Sequence, residues 1–183
     1  MADTQSTTPP PEPPNPAGAP PARPERWVDY ARYPLGTALF LLLAFPRFDV
    51  WPLAWVALVP LLYHLGRCTR GREAFLSGFT AGALFFLGLL YWVPQAMMAY
   101  GGVHAVLAGV VLVLIAGVLG LFVGAFAWLQ WRMFRRWGWK AALLAPFAWT
   151  AQEFARNYLA ITGFPWGNLG TSQAYFGFMI QIA

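Results

Sequence analysis

The run VHAVLAGVVLVLIAGVLGLFVGAFAW, Val103–Trp128, proceeds for 26 residues without an acidic side chain, a lysine or an arginine. About 18 apolar residues already suffice for a helix to cross the roughly 30 Å hydrocarbon layer of a bilayer. The rest of the chain agrees. Of its 183 residues 58% are hydrophobic and only 10% charged, with 10 Trp and 15 Phe, where a soluble domain carries roughly 25% charged residues. A chain so short of charge cannot cover its surface with polar groups, so lipid must solvate most of it. The expected fold class is all-α, a polytopic transmembrane helix bundle.

Outward from that run, apolar segments lie at about 30–45, 50–65, 74–93 and 141–161, and another begins at 174–183. The expectation is five spans and an incomplete sixth. At 1.5 Å per residue the first two are roughly 24 Å long, short for a full crossing. The Phe45-Pro46-Arg47-Phe48-Asp49 turn between them is therefore expected to dip into the membrane. A re-entrant hairpin there would change the count by two and leave the sides unchanged. Residues 1–29 form a different unit. Nine of the sixteen prolines fall within 1–26, a composition that cannot bury enough apolar surface to offset ordering, which predicts a disordered, partly polyproline tail. No charged segment leads into an apolar core there, so it does not read as a signal peptide.

Charge sets the orientation. The formal net charge is +5, but the cations sit in short clusters beside apolar runs, which argues against nucleic acid and for topology and anionic headgroup contacts. Arg23, Arg26 and Arg32 stand at the first span, Arg67, Arg70 and Arg72 between the second and third, and Arg132, Arg135, Arg136 and Lys140 between the fourth and fifth. The alternate loops are nearly bare. By the positive-inside rule the N-terminus is cytoplasmic, and the loops with Tyr91-Trp92-Val93-Pro94 and Gly163-Phe164-Pro165-Trp166 face the other side of the membrane. Gly78 and Gly82, with Ala116, Gly120 and Gly124, mark close helix packing.

Few residues can carry chemistry. Cys68 is the lone cysteine, and His64 four residues away could share its helix face, but no carboxylate orients the pair. With His64 and His104 the only histidines, neither a metal nor a cofactor is indicated. On the fifth segment Thr150, Glu153, Arg156 and Asn157 fall within an arc of roughly 120°, opposite Leu143, Leu144, Phe147, Phe154 and Leu159. A polar stripe at membrane depth must face the bundle or a cavity. Glu153 and Arg156, spaced i,i+3, can pair directly. Gly163 and Pro165 then stop the helix, and Phe164 and Trp166 suit the interface, as do Tyr91 and Trp92.

Four pieces, in order, carry a family resemblance: AFPRFDVWPLAWVALVPLL at 44–62, G-x-x-x-G-x-x-F-F-x-G-x-x-Y-W at 78–92, Gly101-Gly102, and E-x-x-R followed by T-G-F-P-W-x-x-L-G-T-S-Q within 153–173. The chain resembles the membrane portion of the apolipoprotein N-acyltransferases, of the nitrilase superfamily. Thr171 stands where the family often has Tyr. The resemblance implies transfer of an acyl chain from a membrane phospholipid to the N-terminal diacylglyceryl-cysteine of an apolipoprotein, through a Cys thioester helped by Glu and Lys. Those catalytic groups belong to an αββα domain that this sequence does not contain, so no catalytic residue is assigned and the chain alone is expected to be inactive, with that domain supplied in cis or in trans. Tyr91, Trp92, Glu153, Arg156, Phe164 and Trp166 are the candidates for facing the lipid substrate. The alternative is a non-catalytic lipid-binding or scaffold module acting with a partner chain.

Overall fold

The computed structural model describes residues 27–159 and 163–174. The Pro-rich stretch before Trp27 and the apolar stretch from Tyr175 onward lie outside the described residues. Within them the chain is helical and forms no strand. The helices are α1 (Trp27–Ala44), α2 (Leu53–Val56), α3 (Val59–Leu65), α4 (Gly71–Leu89), α5 (Trp92–Gly101), α6 (Ala105–Trp137) and α7 (Ala145–Phe154). A 3₁₀ segment (Gly138–Leu144) precedes α7, and a π-helical turn (Ala155–Leu159) follows it.

Element boundaries depart from the hydropathy reading for local reasons. The second apolar segment divides into α2 and α3, because Pro60 has no N–H to give the carbonyl of Val56. Its backbone stays helical across Ala57 and Leu58, and the buried hydroxyl of Thr37 on α1 accepts the N–H of Leu61 at 3.1 Å. That satisfies a donor which the first turn of α3 leaves without a partner. The uncharged stretch after Trp92, expected as a loop, is α5. Pro94 sits in its first turn, where a missing N–H costs nothing, and Gly102 ends it at φ 62°. Helix α6 does not stop at Trp128 but continues through Arg132, Arg135 and Arg136 to Trp137. Gln, Met and Arg are good helix formers; the stop is Gly138, at φ 59°.

Of the described residues, the tract Ala105–Tyr158 is long and apolar enough to cross a membrane, and α4 with α5 forms a second such unit if the 46° bend between them is counted within one span. The tract from Ala105 is not one rod. Phe126 and Trp149 would stand about 34 Å apart along a straight helix, yet their rings meet edge-on at 5.1 Å. The chain therefore reverses at Gly138 and lays α7 back along α6.

Helices α4 and α6 form the centre. Gly78 faces Ala127 and the carbonyl of Val123, Gly82 faces Val123 and Gly120, and Gly124 faces the ring of Phe75. A Cβ on Gly78 would lie 2.3 Å from that of Ala127, so the two backbones touch as the small-residue pattern requires. Helix α1 packs on the other side of α4, with Leu42 against Gly88. Leu143, Phe147 and Phe154, the apolar face of the fifth segment, point outward at 58% exposure or more, as a lipid-facing surface should.

The two ends of the bundle differ. At one, Tyr33 lies against Tyr63 and His64, Tyr63 approaches Trp139, and the indole of Trp131 donates to the carbonyl of the buried Cys68 at 2.9 Å. His64 is spent there on Ser77, at 3.0 Å. At the other end the turn at Arg47, the α4–α5 bend and the 163–173 loop converge. All of the expected basic clusters fall at the first end, apart from Arg23 and Arg26, which are outside the described residues.

Gly78→Leu should force α4 from α6 and lower stability by about 1–3 kcal/mol. Gly109→Ala, where an added Cβ meets nothing within 4 Å, should leave it unchanged or raise it by about 0.5–1 kcal/mol. Thermal unfolding of the two variants in one detergent checks the pair.

Candidate functional site

Helix α7 starts at Ala145-Pro146, where proline is preorganised for a first turn. It carries Trp149, Thr150 and Glu153 before the backbone loosens into the π turn that holds Arg156 and Asn157. Such turns widen the helix locally and re-aim its side chains. Thr150 turns its hydroxyl back to the carbonyl of Pro146 at 3.0 Å. Arg156 goes inward: it is 1% exposed, and its guanidinium lies 5.1 Å from the centre of the Phe86 ring on α4.

The loop from Gly163 returns over these residues. Gly163 (φ 47°) and Gly167 (φ 80°) adopt left-handed backbone. At Gly167 the space is also closed, since a Cβ there would fall 2.7 Å from Leu89 and 3.1 Å from Phe86. That approach brings Asn168 to Arg156, whose terminal nitrogen donates to the Asn168 side-chain oxygen. The next amide, Leu169, donates to Oε1 of Glu153 at 2.7 Å, and the indole of Trp149 donates to the same oxygen at 2.9 Å. A 3₁₀ turn (Leu169–Gln173) follows, tightened by the hydroxyls of Thr171 and Ser172 on the carbonyls of Asn168 and Leu169. Gln173 closes the arrangement by donating to the carbonyl of Trp51 at 3.2 Å.

The expected ion pair between Glu153 and Arg156 is not formed among the described residues. Each takes a hydrogen-bond partner in the loop instead. The two ionisable groups thus act as an acceptor and a donor for one returning segment. The other four candidates lie round the same end. Trp92 and Trp166 meet at 4.8 Å between ring centres, Phe164 and Trp166 at 5.8 Å, and Tyr91 receives Arg47 over its ring at 4.9 Å. Trp166, Tyr91 and Trp92 remain exposed. All six residues therefore belong to one feature, a rim of aromatic side chains over a buried polar clamp.

Asn168, Trp149 and Gly167 belong to it too, and none was singled out in the sequence; so does Gln173, which closes the T-G-F-P-W-x-x-L-G-T-S-Q motif. Asn168 had an available signal, a side-chain amide in a loop without charges. Beside the clamp an open, mainly apolar groove of about 380 Å³ runs between α2–α3 and α7, walled by Trp55, Leu58, Pro146 and Trp149, with Glu153 and Gln173 at its polar end.

The model of the apolipoprotein N-acyltransferase N-terminal domain matches residues 37–183. The chain belongs to the apolipoprotein N-acyltransferase family. It is 35% identical over 147 residues to the apolipoprotein N-acyltransferase of Geobacter metallireducens, which covers 80% of this chain and 28% of that one. It is 33% identical over 131 residues to that of Pasteurella multocida (72% and 24%) and 34% identical over 155 residues to that of Pseudomonas putida (81% and 30%). The chain thus corresponds to the N-terminal part of the family and spans less than a third of these relatives.

The clamp makes a direct prediction. Glu153→Ala leaves the Leu169 amide and the Trp149 indole without an acceptor, at a cost of about 1–3 kcal/mol each. Cleavage within residues 163–173 by a limiting protease should then speed up about tenfold or more, since 1.4 kcal/mol is tenfold. Glu153→Gln keeps an acceptor oxygen and should stay close to the unaltered rate.

Proposed function

We propose that this chain is the membrane portion of an apolipoprotein N-acyltransferase, an enzyme that moves a fatty acyl chain from a phospholipid to the N-terminal diacylglyceryl-cysteine of a lipoprotein. The observation that carries the reading is the family match over residues 37–183. On this reading the chain crosses the inner membrane five times, with its N-terminus in the cytoplasm. The gathering of the basic segments at one end of the bundle and of the uncharged aromatic loops at the other supports that orientation.

The chemistry itself, formation of a thioester on a cysteine and its attack by an amine, belongs to the family's nitrilase-type domain. What this portion contributes is shape. Trp92, Trp166, Phe164 and Tyr91 form an exposed aromatic rim, with the amphipathic character suited to the level of lipid headgroups. Glu153 and Arg156 hold the loop that carries half of that rim. They bear on the lipid substrate through the loop, by keeping Trp166 against Trp92 where a lipid enters.

Two experiments test this. In a protein that also carries the catalytic domain, Arg156→Ala should lower acyl transfer about tenfold or more at unchanged protein level, the loss expected when a buried charged hydrogen bond is removed. Unchanged transfer at unchanged level rejects the role. For orientation, Cys68 is buried and a poor reporter. In a Cys68→Ala background, Trp166→Cys should react with an impermeant maleimide on intact cells and Arg70→Cys should not. The reverse pattern inverts the topology and removes the proposed entrance.

A further inference from the structure

The end of the bundle opposite the aromatic rim carries a second feature. Residues 66–73 contain Arg67, Arg70 and Arg72; residues 128–140 contain Arg132, Arg135, Arg136 and Lys140; Glu73 is the one carboxylate in either segment. All seven cations are exposed. Glu73 is half-buried and accepts from the Thr69 hydroxyl at 3.4 Å.

A charge signal for orientation acts while the chain inserts and asks nothing of the folded geometry. Here the fold locks the two segments together. The Trp131 indole holds the Cys68 carbonyl at 2.9 Å. Gly66 lies so close to Trp139 that a Cβ would fall 2.5 Å from its ring, and Gly71 lies equally flush against Trp131, with 2.8 Å left for a Cβ. Arg67 rests over the ring of Tyr63 at 4.1 Å and Arg132 over that of Trp128 at 5.0 Å. Like charges fixed on one patch repel, which disfavours the compact state unless an anion answers them. The surroundings indicate which anion. Trp128, Trp139, Leu129 and Leu143 are exposed beside the cations, so the patch is charged and greasy at once. A phosphodiester with apolar chains attached uses both parts; a nucleic acid or an acidic protein would leave the apolar part in water.

We propose that this platform binds the phosphate headgroups of anionic phospholipids in the adjacent leaflet, with guanidinium groups of both segments taking the phosphate oxygens. It is independent of the acyl-transfer reading and lies at the other end of the molecule.

The test is lipid binding by the purified protein in detergent, followed by thermal shift and by titration. Phosphatidylglycerol should bind about tenfold or more tightly than phosphatidylcholine, as expected where each basic residue near the surface adds to the attraction. That preference should shrink steeply as salt rises from about 0.05 to about 0.5 M, where screening becomes short-ranged. The combined R132Q, R135Q and R136Q variant should lose the preference, while Arg47→Gln at the far end keeps it. Equal binding of both lipids, a preference indifferent to salt, the same shift from inorganic phosphate alone, or tighter binding of an oligonucleotide than of phosphatidylglycerol would each overturn the proposal. Should the triple variant fail to insert, the salt series on the unaltered protein decides.

Discussion

Everything in this bundle is arranged around the contact of two backbones. In lipid there is no hydrophobic gain from bringing helices together, because the acyl chains are as apolar as leucine; what remains is van der Waals contact over closely fitting surfaces. Gly78 and Gly82 on α4, set against Val123, Gly124 and Ala127 on α6, permit that contact at the distance of backbone atoms. With α4 and α6 fixed, α1 packs on one flank through Leu42 and Gly88, and α7 folds back on the other through Phe126 and Trp149. Both ends of the molecule inherit their geometry from this pair.

At one end the inheritance is a clamp. Helix α4 ends in Phe85, Phe86 and Leu89, and the loop from Gly163 settles with Gly167 against them. That position delivers Asn168 to Arg156 and the amide of Leu169 to Glu153. An ion pair buried between two helical neighbours would have been a local affair of α7. A carboxylate and a guanidinium each turned toward a loop instead couple α7, α4 and the rim tryptophans, so that one polar substitution reaches the aromatic surface. Buried polar groups are costly unless satisfied, and the hydrogen bonds that Glu153 and Arg156 do make to residues 168 and 169 require the loop to stay in place.

Legibility from sequence varied with the range of the interactions. The helical class, the apolar segments, the packing role of Gly78 and Gly82, and the outward face of Leu143, Phe147 and Phe154 follow from composition and period, which are local properties. The six site candidates were found for separate reasons, four as interfacial rings beside helix ends and two as ions at membrane depth. Their convergence was not legible, because it depends on a loop reversing over α4. Helix ends were read poorly at Trp128 and at Pro94. Hydropathy measures where lipid can be, whereas a helix ends where its hydrogen-bond ladder fails, and that happens at Gly138 and Gly102.

The amino-acid sequence alone determined that this protein is helical and strongly apolar, with its basic residues in clusters beside the apolar segments, and its ordered motifs marked the family. These are consequences of side-chain chemistry summed over short windows. Only the tertiary structure decided which partner each ionisable group takes, that Gly66 and Gly71 bring two basic segments onto one patch of indoles, and that Trp166 meets Trp92. Such pairings join residues 12 or more positions apart, and they depend on the register at which two glycine-lined helices meet.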